Sequence, residues 1–482
     1  MQNQNWRFLN AVTAVATLTI LVALGAWAQD GRTPGASPQI AQVPEKPPSN
    51  TPISSGNTLV PESSVYREED AGVRAHTNIE VVTKDGVNPW RVIPDMSPDS
   101  YPGYETPASI GCIYKIGPSY AGCTSPGSGQ HPTTGWGTIA LVDAYDNPDA
   151  ASDLATFDAQ FGIPAPPSFT VVYANGNGDC TTPAPNGGWS LESSLDIEYA
   201  HAMAPKANIV LVEACSNSDK DLDYAVLVAG NIVTSAGGGD VSNSYGGGEY
   251  AGEVTDDANF YTYWQNTAYF ASAGDSGCGA QYPSASPWVV SAGGTTITRN
   301  ASGNFTAEAC WSGSGGGISG VERWDDTKNA SQTAFRGNGM GAWSAFQYPQ
   351  FGGYLQGTYR HTPDLASDAG TPVLIAALYY GVSKGQCTGE PCFYTVVGTS
   401  VASPTLAGIV NSANNRLGQA PTGGGYYTNE ENNLLYDQLF SFTAYGKNFY
   451  DVKTGSNGTG CGAAAKWDFC TGVGTPRGLL GK

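Results

Sequence analysis

The stretch 398-GTSVASP-404 directly follows the apolar run Phe393–Val397 and opens a predicted helix over residues 403–417. A serine at such a strand-to-helix turn is exposed, and it lies near the free N–H groups at the helix start. Ser400 can therefore act as a nucleophile if a base lies nearby. The ordinary alternative is a serine that only caps the helix. The choice depends on which bases the rest of the chain supplies.

Strands and helices alternate through the chain on both sides of this stretch. The pattern predicts an α/β fold with a mainly parallel β-sheet and helices on both faces. The predicted strands are 137–143, 169–174, 208–213, 240–244 and 268–273, with a helix between the last two. The predicted helices are 150–161, 190–203, 222–233 and 403–417.

A pair of carboxylates on one predicted helix offers a base. In 191-LESSLDIEYAHAMAP-205, Glu192 and Asp196 are four residues apart and share a helix face. Carboxylates held this close raise each other's pKa and tend to share a proton, which suits a base working at about pH 3–5. An exposed acidic face is the ordinary interpretation of this spacing. His201, four residues before Pro205, is the other candidate base on this helix.

The segment 272-SAGDSGC-278 follows a predicted strand and carries Asp275. Its GDSG letters resemble the nucleophile loop of chymotrypsin-like proteases, in which Ser276 would be the nucleophile. That family has a glycine where this chain has Cys278, and it has a His-Cys pair that this chain lacks. Ser400 is therefore the favoured nucleophile.

The longer string 398-GTSVASPTLAG-408 closely resembles the nucleophile segment of subtilisin-like proteases. Together with the segments around Glu192, Asp196 and Asp275, it resembles the sedolisin family of serine-carboxyl peptidases. The resemblance extends from about Thr106 to the C-terminus and implies a subtilisin-like fold. It implies that Ser400 is the nucleophile, Glu192 the general base and acid, and Asp196 the residue that orients Glu192. Subtilisin-like enzymes have an Asn oxyanion donor where this chain has Asp275, and only a protonated Asp275 could donate there.

The same resemblance implies further site residues. Asp143, at the end of the first predicted strand, matches an acidic residue linked to the Glu–Asp pair, and we expect it to be auxiliary. Ser244, Tyr245 and Gly246 resemble the strand edge that lines the substrate cleft.

A calcium site near the C-terminus is also implied by the resemblance. Its two halves match Asp451 and Val452 on one side, and Ala464, Lys466 and Asp468 on the other. Carboxylates and backbone carbonyls suit a hard cation such as Ca²⁺. Ala464 and Lys466 replace glycines of the family pattern, and a lysine charge is unfavourable beside a cation. The expected cofactor is one Ca²⁺ ion.

The charge balance supports work in acid. The 482 residues carry 22 Lys and Arg against 42 Asp and Glu, a formal charge of −20 at pH 7. This balance excludes a basic nucleic-acid-binding surface. In strong acid the positive charge cannot exceed 26, the 22 Lys and Arg with the four His, so self-repulsion is limited.

The N-terminus indicates export. Residues 1–28 read as a signal peptide that ends in Ala-Trp-Ala, with a retained membrane anchor as the alternative. Residues 29–104 are expected to be a Pro/Ser-rich linker and a reduced pro-segment, and residues 105–482 a sedolisin-like peptidase domain. We expect a secreted, extracellular protein that does not contact the membrane after signal removal.

Ten cysteines, all beyond the signal segment, suggest disulfides in an exported chain. Pairing of sequence neighbours predicts five bonds: Cys112–Cys123, Cys180–Cys215, Cys278–Cys310, Cys387–Cys392 and Cys461–Cys470.

The predicted function is that of an acid-acting serine-carboxyl endopeptidase with protein or peptide substrates. We expect a monomer that binds no nucleic acid. Two alternatives stay open: a catalytically silent homologue that binds peptides, and a tripeptidyl-peptidase.

Overall fold

The protein is described by a computed structural model. The described residues are 54–55, 58–82, 104–125, 130–261, 266–323, 359–389, 391–413, 430–440 and 442–482. The expected signal peptide, 1–28, lies outside them. The strands are β1 (Ser54–Ser55), β2 (Thr58–Leu59), β3 (His76–Thr77), β4 (Glu80–Val82), β5 (Thr138–Ala144), β6 (Phe169–Ala174), β7 (Asn208–Ala214), β8 (Gly239–Asn243), β9 (Tyr245–Gly246), β10 (Thr267–Ser272), β11 (Val290–Arg299), β12 (Phe305–Cys310), β13 (Gly317–Arg323), β14 (Tyr359–Thr362), β15 (Leu365–Asp368), β16 (Val373–Ala376), β17 (Phe393–Val397), β18 (Phe449–Tyr450) and β19 (Thr475–Pro476).

The helix predicted over 150–161 agrees with the structure at both ends, whereas the helix predicted over 403–417 begins earlier, at Thr399, and residues 414–417 lie outside the described residues. The helices are α1 (Pro107–Ile113), α2 (Ala150–Phe161), α3 (Gly187–Met203), α4 (Asp219–Ser235), α5 (Glu253–Asp256), α6 (Ala258–Tyr261), α7 (Leu378–Ser383), α8 (Thr399–Ala413), α9 (Glu430–Phe440) and α10 (Phe442–Asn448).

The central sheet has the strand order β12-β11-β10-β8-β5-β7-β6, with β15 paired to β11. Only the β11–β12 pair of this sheet is antiparallel among the described strands. Every residue of β5 is buried, as expected for a strand covered on both faces. The predicted α/β fold with a mainly parallel sheet is therefore confirmed.

Alternate residues of β5 pack against helices on opposite faces. Ile139 and Leu141 cluster with Ile197 of α3. Val142 belongs to the larger core that also contains Leu222 of α4. Because side chains alternate along a strand, Asp143 lies on the same face as Ile139 and Leu141. The strand therefore directs Asp143 toward α3, the helix that carries Glu192 and Asp196.

A second sheet, β1-β2-β4-β17-β16, includes strands from the segment that precedes the expected peptidase domain. Its strand β4 comes from the segment 29–104, which we expected to be a linker and a reduced pro-segment. Ile79 and Val81 are completely buried, because β4 pairs antiparallel with β17, the strand that leads to Ser400. Residues 58–82 are therefore an integral part of the folded domain. Residues 29–53 lie outside the described residues.

Three of the predicted disulfides are present, Cys112–Cys123, Cys180–Cys215 and Cys387–Cys392. The other two predictions are wrong, since the bonds are Cys278–Cys461 and Cys310–Cys470. The loop after Gly455 folds back onto both of the earlier cysteines. The Cys278 N–H donates to the Asn457 carbonyl at 2.7 Å. The backbones of Cys310 and Gly455 form an isolated parallel β-bridge. Long-range packing, not sequence proximity, selects these two partners.

None of the described helices is both long enough and apolar enough to cross a membrane.

Candidate active site

Ser400 is the second residue of α8 and directly follows the turn that joins β17 to α8. Gly398 makes this turn possible with φ +140°, a region that disfavours residues with a Cβ. The Ser400 hydroxyl donates to the Ser244 carbonyl at 3.0 Å. Ser400 is fully buried, which corrects the expectation of an exposed serine. Its own N–H donates to the Asn78 carbonyl at 3.1 Å, so the segment around Asn78 covers it.

Helix α3 holds Glu192 and Asp196 in the interior. Asn186 caps the helix by accepting the Trp189 N–H at 3.2 Å, and every residue from 189 to 203 is buried. Both carboxylates have no exposed surface, so the alternative of an exposed acidic face is wrong. The Ser244 hydroxyl donates to Asp196 Oδ1 at 2.6 Å. Ser244 therefore contacts Asp196 through its side chain and Ser400 through its backbone.

Three buried carboxyl groups, those of Glu192, Asp196 and Asp143, act on one another. Burial raises the pKa of Glu192 well above its usual value, and the charges of Asp196 and Asp143 raise it further. Neither Glu192 oxygen accepts a well-formed hydrogen bond from a described residue, yet the Ser400 hydroxyl is near enough to lower the Glu192 pKa. Burial raises the pKa of Asp143 to about 8. Burial and the charge of Asp143 raise the pKa of Asp196, whereas the hydrogen bond from Ser244 lowers it. The cluster therefore holds protons that can be shared.

The two carboxyl oxygens of Asp275 differ in their hydrogen bonds. Its Oδ1 accepts from both the N–H and the hydroxyl of Thr399, each at 2.7 Å. Its Oδ2 is buried and has no hydrogen-bond partner among the described residues. Burial raises the pKa of Asp275 well above its usual value, although the Thr399 bonds oppose this rise. Because Oδ1 is already an acceptor, the proton of the neutral acid belongs on Oδ2.

The Asp275 Oδ2 atom lies near the Asn78 carbonyl oxygen, which also accepts the Ser400 N–H. A Cβ added to Gly398 would lie 2.7 Å from Asp275 Oδ2 and 2.1 Å from the Asn78 carbonyl oxygen. The Asn78 oxygen therefore lies beside both possible donors, the Ser400 N–H and the Asp275 carboxyl. An N–H group and a carboxyl group near one carbonyl oxygen are groups that can bind an oxyanion when the carboxyl is protonated.

Of the residues expected to line the substrate cleft, Ser244 contacts Ser400 and Asp196, whereas Tyr245 and Gly246 are buried. Tyr245 and Gly246 form β9, which pairs antiparallel with His76 and Thr77 of β3. Asp275 also lines an open cavity of about 680 Å³, together with Glu80, Ser276 and Trp311.

Two site residues were not found from the sequence. Thr399 is within the GTS string, and its role as donor to Asp275 follows only from the fold. Asn78 carries no sequence signal because its neighbours form strands of only two or three residues. Only their partner strands, far along the chain, show that the segment reaches the site.

The alternative catalytic residues lie elsewhere. His201 Nε2 is 3.0 Å from the Pro164 carbonyl and 3.2 Å from Asp158 Oδ1, which accounts for its burial as a core histidine. Ser276 is exposed, one residue beyond Asp275. The α/β fold also differs from that of chymotrypsin-like proteases, which are built on β-barrels.

The residues matched to a calcium site come together in the C-terminal loop. Asp468 accepts the Ala464 N–H at 3.0 Å, and Asp451 accepts the Lys466 N–H at 2.7 Å. Lys453 Nζ lies 3.1 Å from the other Asp451 oxygen. Among the described residues no group of three or more His, Cys, Asp or Glu side chains could hold a metal ion. The donor set fits Ca²⁺ only if the carboxylates exchange these N–H and ammonium partners for the ion.

Comparison with known proteins supports the resemblance to the sedolisin family, although no family model matches the chain. Kumamolisin from Bacillus sp. (strain MN-32) is 30% identical over 364 residues, which cover 71% of this chain and 58% of kumamolisin. Sedolisin from Pseudomonas sp. (strain 101) is 23% identical over 374 residues, 71% of this chain and 57% of that protein. The chain is therefore similar to sedolisin-family peptidases and spans less than two thirds of either relative.

A solved structure supports the same fold. Pseudomonas sedolisin, a serine-carboxyl proteinase complexed with two molecules of pseudo-iodotyrostatin, matches with a TM-score of 0.55. The match has 21% identity and covers 78% of this chain and 96% of that one. The chain therefore has the subtilisin-like fold that its sequence indicates.

Proposed function

We propose that this protein is a serine-carboxyl endopeptidase that hydrolyses peptide bonds in acid. The observation that carries the proposal is the arrangement around one peptide carbonyl. The Asn78 oxygen accepts the Ser400 N–H at 3.1 Å, beside the half-buried Asp275, whose Oδ2 atom is itself buried and has no partner among the described residues. The Glu192 carboxyl is near enough to the same serine for the Ser400 hydroxyl to lower the Glu192 pKa.

In the proposed reaction the Ser400 Oγ attacks the carbonyl carbon while Glu192 takes the hydroxyl proton. The oxyanion that forms is stabilised by the Ser400 N–H and by the Asp275 Oδ2 proton. Glu192 then protonates the leaving amine, and the C–N bond breaks. Water hydrolyses the resulting acyl-enzyme, with Glu192 again exchanging the proton.

In this proposal Asp196 and Asp143 control the protonation of Glu192. Their charges raise the pKa of Glu192, and Ser244 fixes Asp196 through a 2.6 Å hydrogen bond. Glu192 must be ionised to act as the base, whereas Asp275 must be protonated to donate. Coupling among the three carboxyls allows one of them to be ionised while the others keep their protons.

The test is hydrolysis of a denatured protein in acid by the wild type and by two matched serine variants. Ser400→Ala should lose the activity, while Ser276→Ala, which alters the neighbouring serine of the GDSG turn, should retain it. His201→Ala should retain turnover if it folds. Activity that survives Ser400→Ala would overturn the proposal.

Two further experiments on the same protein distinguish the alternative functions. A silent peptide-binding homologue would not form a covalent adduct with a peptide aldehyde in acid, whereas an active Ser400 would. A tripeptidyl-peptidase would release only tripeptides from the N-terminus, whereas an endopeptidase gives internal fragments that mass spectrometry identifies. The open cavity lined by Asp275 favours the endopeptidase.

Export and a monomeric state belong to the same proposal. The signal-like N-terminus and the five disulfides support a secreted protein. Ca²⁺ binding at Asp451 and Asp468 also stays a prediction. The ion would be held by these carboxylates with carbonyls of Val452, Ala464 and Lys466, and it would stabilise the loop by neutralising their charge.

A further inference from the structure

A row of three ionisable side chains crosses the central sheet and begins at the carboxyl cluster of Glu192, Asp196 and Asp143. Asp143 of β5 is the register partner of Glu213 of β7, and Glu213 is the register partner of Tyr173 of β6. Residues paired in register on parallel strands direct their side chains to the same face, and the strands are about 4.8 Å apart. The three side chains of the row are therefore neighbours.

The face that carries this row packs against α3, the helix of the proposed base. Leu141 and Leu211 lie two positions before the first two members of the row, on the same face of the sheet. Both leucines belong to the apolar cluster that contains Ile197 of α3. Glu213 therefore lies on the same side of the sheet as the proposed catalytic carboxyls.

Exposure increases along the row towards the edge of the sheet. Strand β6 is the last strand in the order β5-β7-β6. Asp143 and Glu213 have no exposed surface, whereas Tyr173 is 39% exposed. The Tyr173 hydroxyl donates to Asp146 Oδ1 at 2.9 Å, and Asp146 is half-buried. The row therefore leads from the buried carboxyl cluster to the solvent.

Glu213 has one oxygen that is held and one that is not. Its Oε1 accepts the Asn147 N–H at 2.8 Å, whereas its Oε2 is buried and has no well-formed hydrogen bond among the described residues. Burial raises the pKa of Glu213 to about 9, and a hydrogen bond with the Asp146 carboxyl raises it as well. Both oxygens of Asp143 are likewise buried without a partner among the described residues. Unpaired buried oxygens cost free energy, so packing alone does not account for this row.

Asn147 holds Glu213 at a fixed position relative to α3. The Asn147 Nδ2 donates to the hydroxyls of Ser193 and Ser194 on that helix, each at 3.0 Å, while its backbone N–H binds Glu213. A backbone N–H that donates to a carboxyl oxygen also stabilises the ionised form of that carboxyl. Glu213 can therefore lose a proton for a short time without leaving its place.

We propose that Glu213 and Asp146 carry protons between the solvent and the carboxyl cluster, and so restore the protonation of Glu192 during turnover. The inference rests on the proposed peptidase function and adds two positioning residues that act through Asp143. Ser400 and Glu192 are both completely buried. A peptide that lies over Ser400 separates Glu192 from the solvent on that side, whereas the row reaches the solvent at another edge of the sheet.

Each step of the proposed transfer moves one proton and forms no other product. Glu213 Oε2 gives its proton to ionised Asp143, and the Asn147 N–H stabilises the Glu213 anion that results. Asp146 then gives its proton to Glu213 Oε2 and takes another from hydronium in the acidic solvent. The reverse order of steps removes a proton from the cluster.

The first test measures kcat and KM for a denatured protein in acid. Glu213→Gln keeps the shape of the side chain and the oxygen that accepts the Asn147 N–H, but it does not pass on a proton. We expect its kcat to fall roughly 10-fold at an unchanged KM. Glu213→Asp keeps a carboxyl and should recover part of this loss. Asp146→Asn, at the half-buried end of the row, should also lower kcat without changing KM.

Added formic acid separates proton transfer from damage to the fold. In Glu213→Ala the small acid can enter the space left by the side chain, so kcat should rise with its concentration, whereas the wild type should not respond. Glu198→Gln is the matched control, because Glu198 is also completely buried and accepts a backbone N–H, that of Ala376, at 3.1 Å. It should keep most of its kcat and should not respond to formic acid.

Wild-type kcat in both Glu213→Gln and Asp146→Asn would overturn this inference. A loss in Glu213→Gln that neither Glu213→Asp nor formic acid reduces would indicate a structural role and would overturn it as well. If the Glu213 variants do not fold, Asp146→Asn decides, since wild-type kcat there contradicts the inference and a lower kcat at unchanged KM supports it. The proposed function survives these failures while the wild type hydrolyses protein and Ser400→Ala does not, and it fails with the inference if the wild type is inactive.

Discussion

At the residue scale, Asp275 has a role that depends on its proton. Its Oδ1 accepts two hydrogen bonds from Thr399, so only a protonated Oδ2 can donate to an oxyanion. Asn in this position can accept with its oxygen and donate with its nitrogen at any pH. We therefore expect Asp275→Asn to keep activity in acid and to lose less of it as the pH rises, in kcat measured from pH 3 to 8.

Asp275→Ala is the comparison that removes the donor. We expect it to lower kcat by about 10²–10³-fold, the usual effect of deleting one oxyanion donor. Equal activity of Asp275→Ala and the wild type would show that Asp275 does not act on the oxyanion.

Glu192 is the second residue whose role can be isolated. Glu192→Gln keeps the shape of the side chain but cannot accept the Ser400 proton, so kcat should fall by roughly 10²–10⁴-fold. Glu198→Gln is the matched change on the same helix, since Glu198 is also buried and accepts the Ala376 N–H at 3.1 Å instead of contacting Ser400. It should keep most of the activity in any folded fraction. An equal loss in both variants would indicate damage to the helix and not loss of a base.

At the element scale, the β17–α8 turn brings Ser400, Asp275 and the Asn78 carbonyl together. Gly398→Ala would place a Cβ 2.1 Å from the Asn78 oxygen in a backbone region that already disfavours side chains. We expect it to destabilise the fold by about 1–3 kcal/mol and to reduce activity. Gly446→Ala lies in α10, has no atom within 4 Å of the new Cβ and has an ordinary backbone, so its Tm should stay unchanged or rise by a few degrees. Thermal unfolding of both variants tests this.

A separate prediction concerns metal binding in the C-terminal loop. Lys453 pairs with Asp451 at 3.1 Å and competes with any cation there. We expect added Ca²⁺ to raise Tm more in Lys453→Gln than in the wild type, and EDTA to reverse the rise, since an ion that binds only the native state stabilises it. An unchanged Tm in both proteins would remove the calcium prediction.

The elements also show where sequence reasoning succeeds and where it stops. Long elements such as α2 and β5 have their own periodicity, and the spacing of Glu192 and Asp196 places both on one helix face. The strands β3 and β4 have too few residues to show any periodicity, and they form because β9 and β17 offer free edges. The contact between Thr399 and Asp275, and the bonds Cys278–Cys461 and Cys310–Cys470, likewise depend on packing between distant parts of the chain.

At the scale of the whole molecule, buried carboxyl groups favour stability in acid. Burial raises the pKa of Asp240, Asp257 and Glu431 to about 8 and that of Glu213 to about 9. Each group binds its proton more tightly when folded, so its contribution to stability is complete below the unfolded pKa of about 4 and is lost as the pH rises toward 8. Tm should therefore be higher at pH 4 than at pH 8.

One buried carboxyl can be tested alone. Asp240 accepts the Asn411 amide at 2.8 Å, and Asp240→Asn removes its ionisation. The fall in Tm between pH 4 and pH 8 should be smaller in this variant. Asp179→Asn, which alters an exposed carboxyl paired with Lys220, should leave that fall nearly unchanged or increase it slightly. A Tm that rises from pH 4 to pH 8 in the wild type would contradict this account of the charges.

The measurement that tests the central claim most directly is the pH dependence of kcat/KM for a denatured protein substrate, with Ser400→Ala as the blank. A base and an oxyanion donor that are both carboxyl groups predict a maximum in acid and a fall as Asp275 and its neighbours ionise. A maximum above pH 7, or turnover that persists in Ser400→Ala, would contradict the assignment of this site as a serine-carboxyl centre.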